Sequence, residues 1–79
     1  MKIIDQLVLD ENNILFYPMM GNSYQLNSVG KEIVLLLKQH KSKDEIIEIL
    51  SKKYGVPKSE LFIDVSDFFA KLKIYGLMQ

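Results

Sequence analysis

The sequence predicts an α+β fold in which three short antiparallel strands precede three helices. Three observations lead there. Up to residue 26, apolar residues come in short runs separated by turn-forming clusters, and beyond that point they recur at helical spacing. The change of period falls at one place, Tyr24-Gln25-Leu26-Asn27-Ser28-Val29-Gly30. There, Tyr24 and Leu26 alternate with Ser23 and Gln25 as on a strand, whereas Val29, Ile33, Leu36 and Leu37 share a helical face. Asn27 stands between the two patterns, where its side-chain oxygen can accept from an amide of the first helical turn.

The strands come first. Ile3 to Leu9 and Ile14 to Tyr17 are rich in β-branched and aromatic residues, and Asp10-Glu11-Asn12-Asn13 between them favours a turn, so the segment reads as a hairpin. Pro18 has no amide to donate and closes the second strand. Gly21-Asn22 turns the chain into a third strand, Ser23 to Leu26. In Ile14-Leu15-Phe16-Tyr17 both faces are apolar, so helices are expected to cover one face and leave the other greasy.

The first helix is expected from Ser28 to Gln39, closed by the positive charge of His40-Lys41 near the negative end of its dipole. Ser42-Lys43-Asp44-Glu45 has the form of a capping box, opening a second helix with the stripe Ile46, Ile47, Ile49 and Leu50, extended by Tyr54, that ends at Gly55. Val56-Pro57 opens the third and longest helix, with proline in its first turn, and the pattern runs to Tyr75 before Gly76. Leu61, Val65, Phe68, Leu72 and Tyr75 fall on a single face there and form the expected spine of the core.

Composition narrows the function classes. Seventy-nine residues suit one domain, 1–79, and without cysteine it depends on packing or on a partner for its stability. Ten lysines balance ten carboxylates with no arginine, which argues against attraction to nucleic acid, a membrane surface or an acidic substrate. Met1-Lys2-Ile3-Ile4-Asp5 places a charge ahead of any apolar run of signal-peptide length, and no stretch approaches the roughly 20 apolar residues of a membrane span, so a cytoplasmic location is expected. His40 is the sole histidine, no serine sits in a nucleophile elbow, and the glycines are scattered rather than gathered around a phosphate. An enzyme is not expected, nor a cofactor or metal.

Taken in order, Tyr24-x-Leu26-Asn27-x-x-Gly30, Glu32-Ile33, Leu36-Leu37, Ser42 with Glu45-Ile46, Leu50, Tyr54, Asp64-Val65-x-x-Phe68 and Leu72 with Gly76-Leu77 resemble the PqqD-like family. That family includes the peptide chaperone of pyrroloquinoline quinone biosynthesis and the leader-binding modules called RiPP recognition elements. The resemblance runs from the second strand to Leu77 and agrees with a winged helix-turn-helix-like arrangement of the elements. Many relatives carry an acidic residue and a glycine between the first two helices, where this chain has Gln39-His40-Lys41, and they often have more arginine and alanine.

The resemblance implies a non-catalytic module whose third strand is an open edge. An unstructured leader of a ribosomally made precursor would add to that edge, lean on the third helix, and be presented to a modifying enzyme such as a radical SAM maturase, a protease or a cyclase. The residues that would serve are Ser23, Tyr24, Gln25 and Leu26 on the strand, and Asp64, Phe68 and Lys71 at i, i+4 and i+7 on the helix, an apolar wall between an acid and a base. Phe62 and Phe69 form an alternative strip. Two other classes compete. A winged-helix DNA binder would read bases with the third helix, yet Lys58, Lys71 and Lys73 there are balanced by Glu60, Asp64 and Asp67. A small dimerisation or scaffold domain would use the greasy sheet face, and a homodimer stays open.

Overall fold

A computed structural model describes residues 3–78; Met1 and Lys2, which open the charged amino-terminal run, lie outside them. In chain order it contains α1 (Ile3–Gln6), β1 (Val8–Leu9), β2 (Ile14–Tyr17), β3 (Asn22–Gln25), α2 (Ser28–Lys38), α3 (Lys43–Tyr54) and α4 (Lys58–Ile74). The three strands form one antiparallel sheet in the order β1-β2-β3, so β3 is an edge.

The first strand is shorter than expected. Ile3–Gln6 forms a helical turn, leaving only Val8 and Leu9 to pair with Phe16 and Leu15. Tertiary packing overrides the β preference of the two isoleucines: Ile3 and Ile4 pack beside buried Leu7, and the Lys38 ammonium donates to the carbonyls of Ile4 and Leu7, tying the turn to α2. The turn into β2 is local chemistry. The Asp10 carboxylate accepts from the amides of Asn12 and Ile14, each at 2.9 Å, while Asn13 takes a left-handed φ of 64°.

β2 and β3 pair Ile14 with Gln25, Leu15 with Tyr24, Phe16 with Ser23 and Tyr17 with Asn22. Alternation then sorts the side chains. Leu15 is 1% exposed whereas neighbouring Phe16 is 37% exposed, so Leu9, Leu15, Tyr24 and Leu26 face the helices while Val8, Phe16, Ser23 and Gln25 face outward. The greasy outer face expected from the sequence is there.

The helix boundaries follow their caps. Asn27 Oδ1 accepts from the Gly30 amide at 2.8 Å, opening α2. That helix closes with the amides of His40 and Lys41 donating to the carbonyls of Leu37 and Leu36, and His40 adopts a left-handed φ of 63°, a position glycine usually fills. Ser42 and Glu45 form the reciprocal capping box of α3, and Gly55 ends that helix. Pro57 stands at the N-cap of α4 rather than inside its first turn, its carbonyl receiving the amides of Glu60 and Leu61. At the far end the Leu77 amide donates to the Leu72 carbonyl at 2.8 Å, folding buried Leu77 back beneath the helix.

Buried side chains gather in two clusters. Ile33, Ile46, Ile47, Leu50, Leu61 and Val65 join α2, α3 and α4. Leu7, Leu15, Val34, Leu72 and Leu77 join the sheet to α2 and the end of α4. Leu37 and Phe68 pack against both. The expected spine of α4 therefore holds for Leu61, Val65 and Leu72 but loosens at half-buried Phe68 and fails at Tyr75, which is 44% exposed. Ile49 and Tyr54 likewise depart from the expected α3 stripe and lie exposed. At about 1.5–3 kcal/mol for each fully buried large side chain, the three seated residues of α4 contribute about 5–9 kcal/mol, comparable to the whole net stability of a small domain. α4 is a fixed wall, not a flap.

Candidate functional site

Between β3 and the C-terminal half of α4 runs a groove of about 390 Å³. Its strand side is Ser23, Tyr24, Gln25, Leu26 and Asn27; its helix side is Phe68, Lys71, Leu72 and Tyr75, with Leu15 and Leu77 at its base. Six of the seven residues expected from the sequence meet here: Ser23, Tyr24, Gln25, Leu26, Phe68 and Lys71. The seventh, Asp64, is exposed on α4 and does not line the groove. It lies one helical turn before Phe68, with its side chain in solvent. The alternative strip lies elsewhere. Phe62 lies under the Lys43 ammonium, 4.4 Å from the ring centre, and Phe69 packs on the first cluster, so neither reaches the groove.

The strand side is an edge with alternating main-chain groups. The Leu26 amide donates to the Asn13 carbonyl at 2.8 Å, which makes that facing pair a hydrogen-bonded one. In an antiparallel ladder such pairs alternate, so Tyr24 and Asn22 also direct their N–H and C=O toward β2, while those of Ser23 and Gln25 point away from the sheet. Among the described residues nothing pairs with these outward groups. The Gln25 side-chain amide donates to the Asn12 carbonyl at 3.1 Å, which ties the outer face of β3 to the turn between β1 and β2 and leaves its own backbone amide free.

Two contacts shape the walls. Tyr24 and Tyr75 stack across the groove, ring centres 4.4 Å apart and planes within 12°, linking strand to helix. Phe68 rests on α2, and a Cβ built on Gly30 would lie 2.9 Å from Phe68 Cε1, closer than real carbon atoms approach. A side chain at position 30 is thus opposed by space and not by backbone conformation, since the φ there is an ordinary helical one. The Asn27 cap and the Gly30 seat together hold the first turn of α2 under the ring that lines the groove.

Sequence reasoning missed Asn27, Leu72, Tyr75 and the floor leucines Leu15 and Leu77 as groove residues. Tyr75 had a usable signal, since it continues the strip of Phe68 and Lys71 at i+7 and i+4. Asn27 was legible only as a cap, and nothing local marks Leu15 or Leu77 as groove floor.

One charged cluster away from the groove joins two helices. The Glu32 carboxylate accepts from the Lys53 ammonium and the Tyr54 hydroxyl, joining α2 to α3. The Lys53 bond first, then that of Tyr54, holds Glu32 below the ordinary glutamate value, while Lys53 and Tyr54 are both raised by the same carboxylate. Among the described residues no group of three His, Asp or Glu side chains comes together to hold a metal ion, and no helix is long and apolar enough to cross a membrane.

The family pattern described as Coenzyme PQQ synthesis protein D (PqqD) matches residues 12–78, from the turn before β2 to the residue after Leu77. The chain belongs to the PqqD family. Among solved structures, one of TbiB1 in complex with the TbiA(beta) leader peptide is similar over 100% of this chain and 95% of its own, at 28% identity and a TM-score of 0.86. A second, lasso peptide synthetase B1 complexed with the leader peptide, is similar over 89% of this chain and 84% of its own, at 22% identity and a TM-score of 0.76, and shares the fold. No curated protein matches. Within the PqqD family fold, the winged arrangement of sheet and helices is the one expected from the sequence, with α1 added before the first strand.

Proposed function

We propose that this PqqD family protein is a non-catalytic module that binds the leader region of a ribosomally made precursor peptide by strand addition and presents it to a modifying enzyme. The observation that carries the reading is the vacant edge of β3 beside α4. Ser23 and Gln25 each offer one N–H and one C=O to an incoming strand, and the groove next to them takes that strand's alternate side chains. Main-chain bonds supply affinity with little regard to sequence; the walls formed by Phe68, Lys71 and the Tyr24–Tyr75 pair supply selectivity. The whole-length likeness to TbiB1, whose structure holds a leader peptide, supports the same conclusion.

Every role is one of binding or orienting. Tyr24 and Leu26 anchor the strand to the core, Ser23 and Gln25 exchange main-chain bonds, and Phe68 and Lys71 meet the ligand's side chains. Asp64 stands outside this set. The modifying enzyme, a radical SAM maturase, a protease or a cyclase, works on the core of the precursor while this module holds the leader, in the cytoplasm where both are made. Titrating labelled protein with leader peptides of the precursors encoded nearest its gene tests the reading. Saturable binding that perturbs residues 23–26 and the second half of α4 supports it; no binding at high micromolar concentration refutes it.

A further inference from the structure

Resting on that reading, we propose that the groove selects leader segments carrying a carboxylate side chain two residues from an apolar or aromatic one, with the carboxylate set against Lys71. Of the residues lining the groove, Lys71 alone is charged. Among the described residues its ammonium takes part in no ion pair: the carboxylates that do are Asp5, Glu48 and Glu32, none of them in the groove. Asp67, one turn earlier on α4, is not paired with it either. The groove therefore holds a single cation, exposed and unpaired, and offers it no carboxylate of its own.

The spacing sets the register. Along α4, Lys71 is about 4.5 Å beyond Phe68 and about 6 Å short of Tyr75, at 1.5 Å per residue. On an extended peptide, side chains on one face recur every two residues, about 6.6 Å apart. A peptide side chain resting on Phe68 or on the Tyr24–Tyr75 pair thus brings its same-face neighbour to the Lys71 ammonium, within reach of that flexible four-carbon stem. A carboxylate there gains a charge-assisted hydrogen bond in a partly apolar trough. A lysine or arginine there meets a like charge, with no carboxylate in the groove lining to offset it. Because the whole chain is neutral, the preference arises from this contact and not from long-range steering.

A displayed library of random 12-residue peptides, sorted against the full chain and against Lys71→Glu, tests the proposal. Sorted binders of the unaltered chain are expected to be enriched in Asp or Glu two residues from an apolar side chain, and Lys71→Glu is expected to replace that acid with Lys or Arg at the same place. For one selected peptide, changing its carboxylate to lysine should weaken binding to the unaltered chain by tenfold or more and restore binding to Lys71→Glu. Binders with no charge preference, or with one that Lys71→Glu leaves unchanged, overturn the inference and leave strand addition standing. A library yielding no binder at all overturns both.

Discussion

Replacing Gly30 with alanine probes the groove from behind. The added Cβ would stand 2.9 Å from Phe68 Cε1 and 3.2 Å from Asn27 Oδ1, against roughly 3.5–4.0 Å for carbon atoms in favourable contact. One of the two elements must yield by about 0.6–1 Å. The backbone of α2 is held by its cap and by buried Ile33 and Val34, so the ring moves, and the free direction is into the groove. Overpacking of this kind costs about 1–3 kcal/mol, and alanine returns about 1 kcal/mol of helix propensity, leaving a net loss of about 0–2 kcal/mol. In a chain of this size that is a fall in Tm of about 0–16 °C. Leader affinity should fall more than stability does, by tenfold or more, because the displaced ring fills the space the ligand needs. The second change Phe68→Leu, which trims the ring, should restore part of that affinity in the double variant. Calorimetric titration beside thermal melts reads both quantities. If Gly30→Ala binds leader as the unaltered protein does, with Phe68 resonances unmoved, the reasoning fails.

Other perturbations test separate parts of the structure. Gln25→Pro removes an outward amide without touching the ladder to β2, so leader binding should be lost while far-ultraviolet circular dichroism keeps its native form. Glu32 is held below the ordinary value by Lys53 and Tyr54, so its contribution is present above the unfolded glutamate pKa of about 4.3 and is lost as pH falls through the lower folded value. Melts between pH 6 and pH 3 should therefore show a steeper decline for the unaltered chain than for Glu32→Gln. His40→Gly relieves a left-handed φ of 63° at the end of α2, and the relief should exceed the added freedom of the unfolded chain by about 0.5 kcal/mol, raising Tm by a few degrees.

The helices were legible because their signals are local. Asn27, Ser42 with Glu45, and Gly55 each act within one turn, and the structure uses all three as caps. The same locality explains the failure at Ile3–Gln6: β-branched residues favour extension, but the decision rests with Leu7 and Lys38, the latter more than thirty residues away, and no pattern within the segment reports it. The groove was half legible. Strand alternation and the helical strip predicted which residues converge, yet the rotation of α4 about its axis decides that Phe68 and Lys71 face β3 while Asp64 faces solvent. That rotation is fixed by Leu61, Val65 and Leu72 seating in two clusters built largely from other elements. Gly30 illustrates the remainder, since its need for space exists only once Phe68 arrives from the other end of the chain.

The account rests on an extended ligand joining the outer edge of β3, and residue-resolved amide exchange tests this most directly. With the leader bound, the amides of Ser23 and Gln25 should become strongly protected, whereas those of Asn22 and Tyr24, already directed toward β2, should change little. Saturating leader that leaves Ser23 and Gln25 exchanging as in the free protein would contradict strand addition.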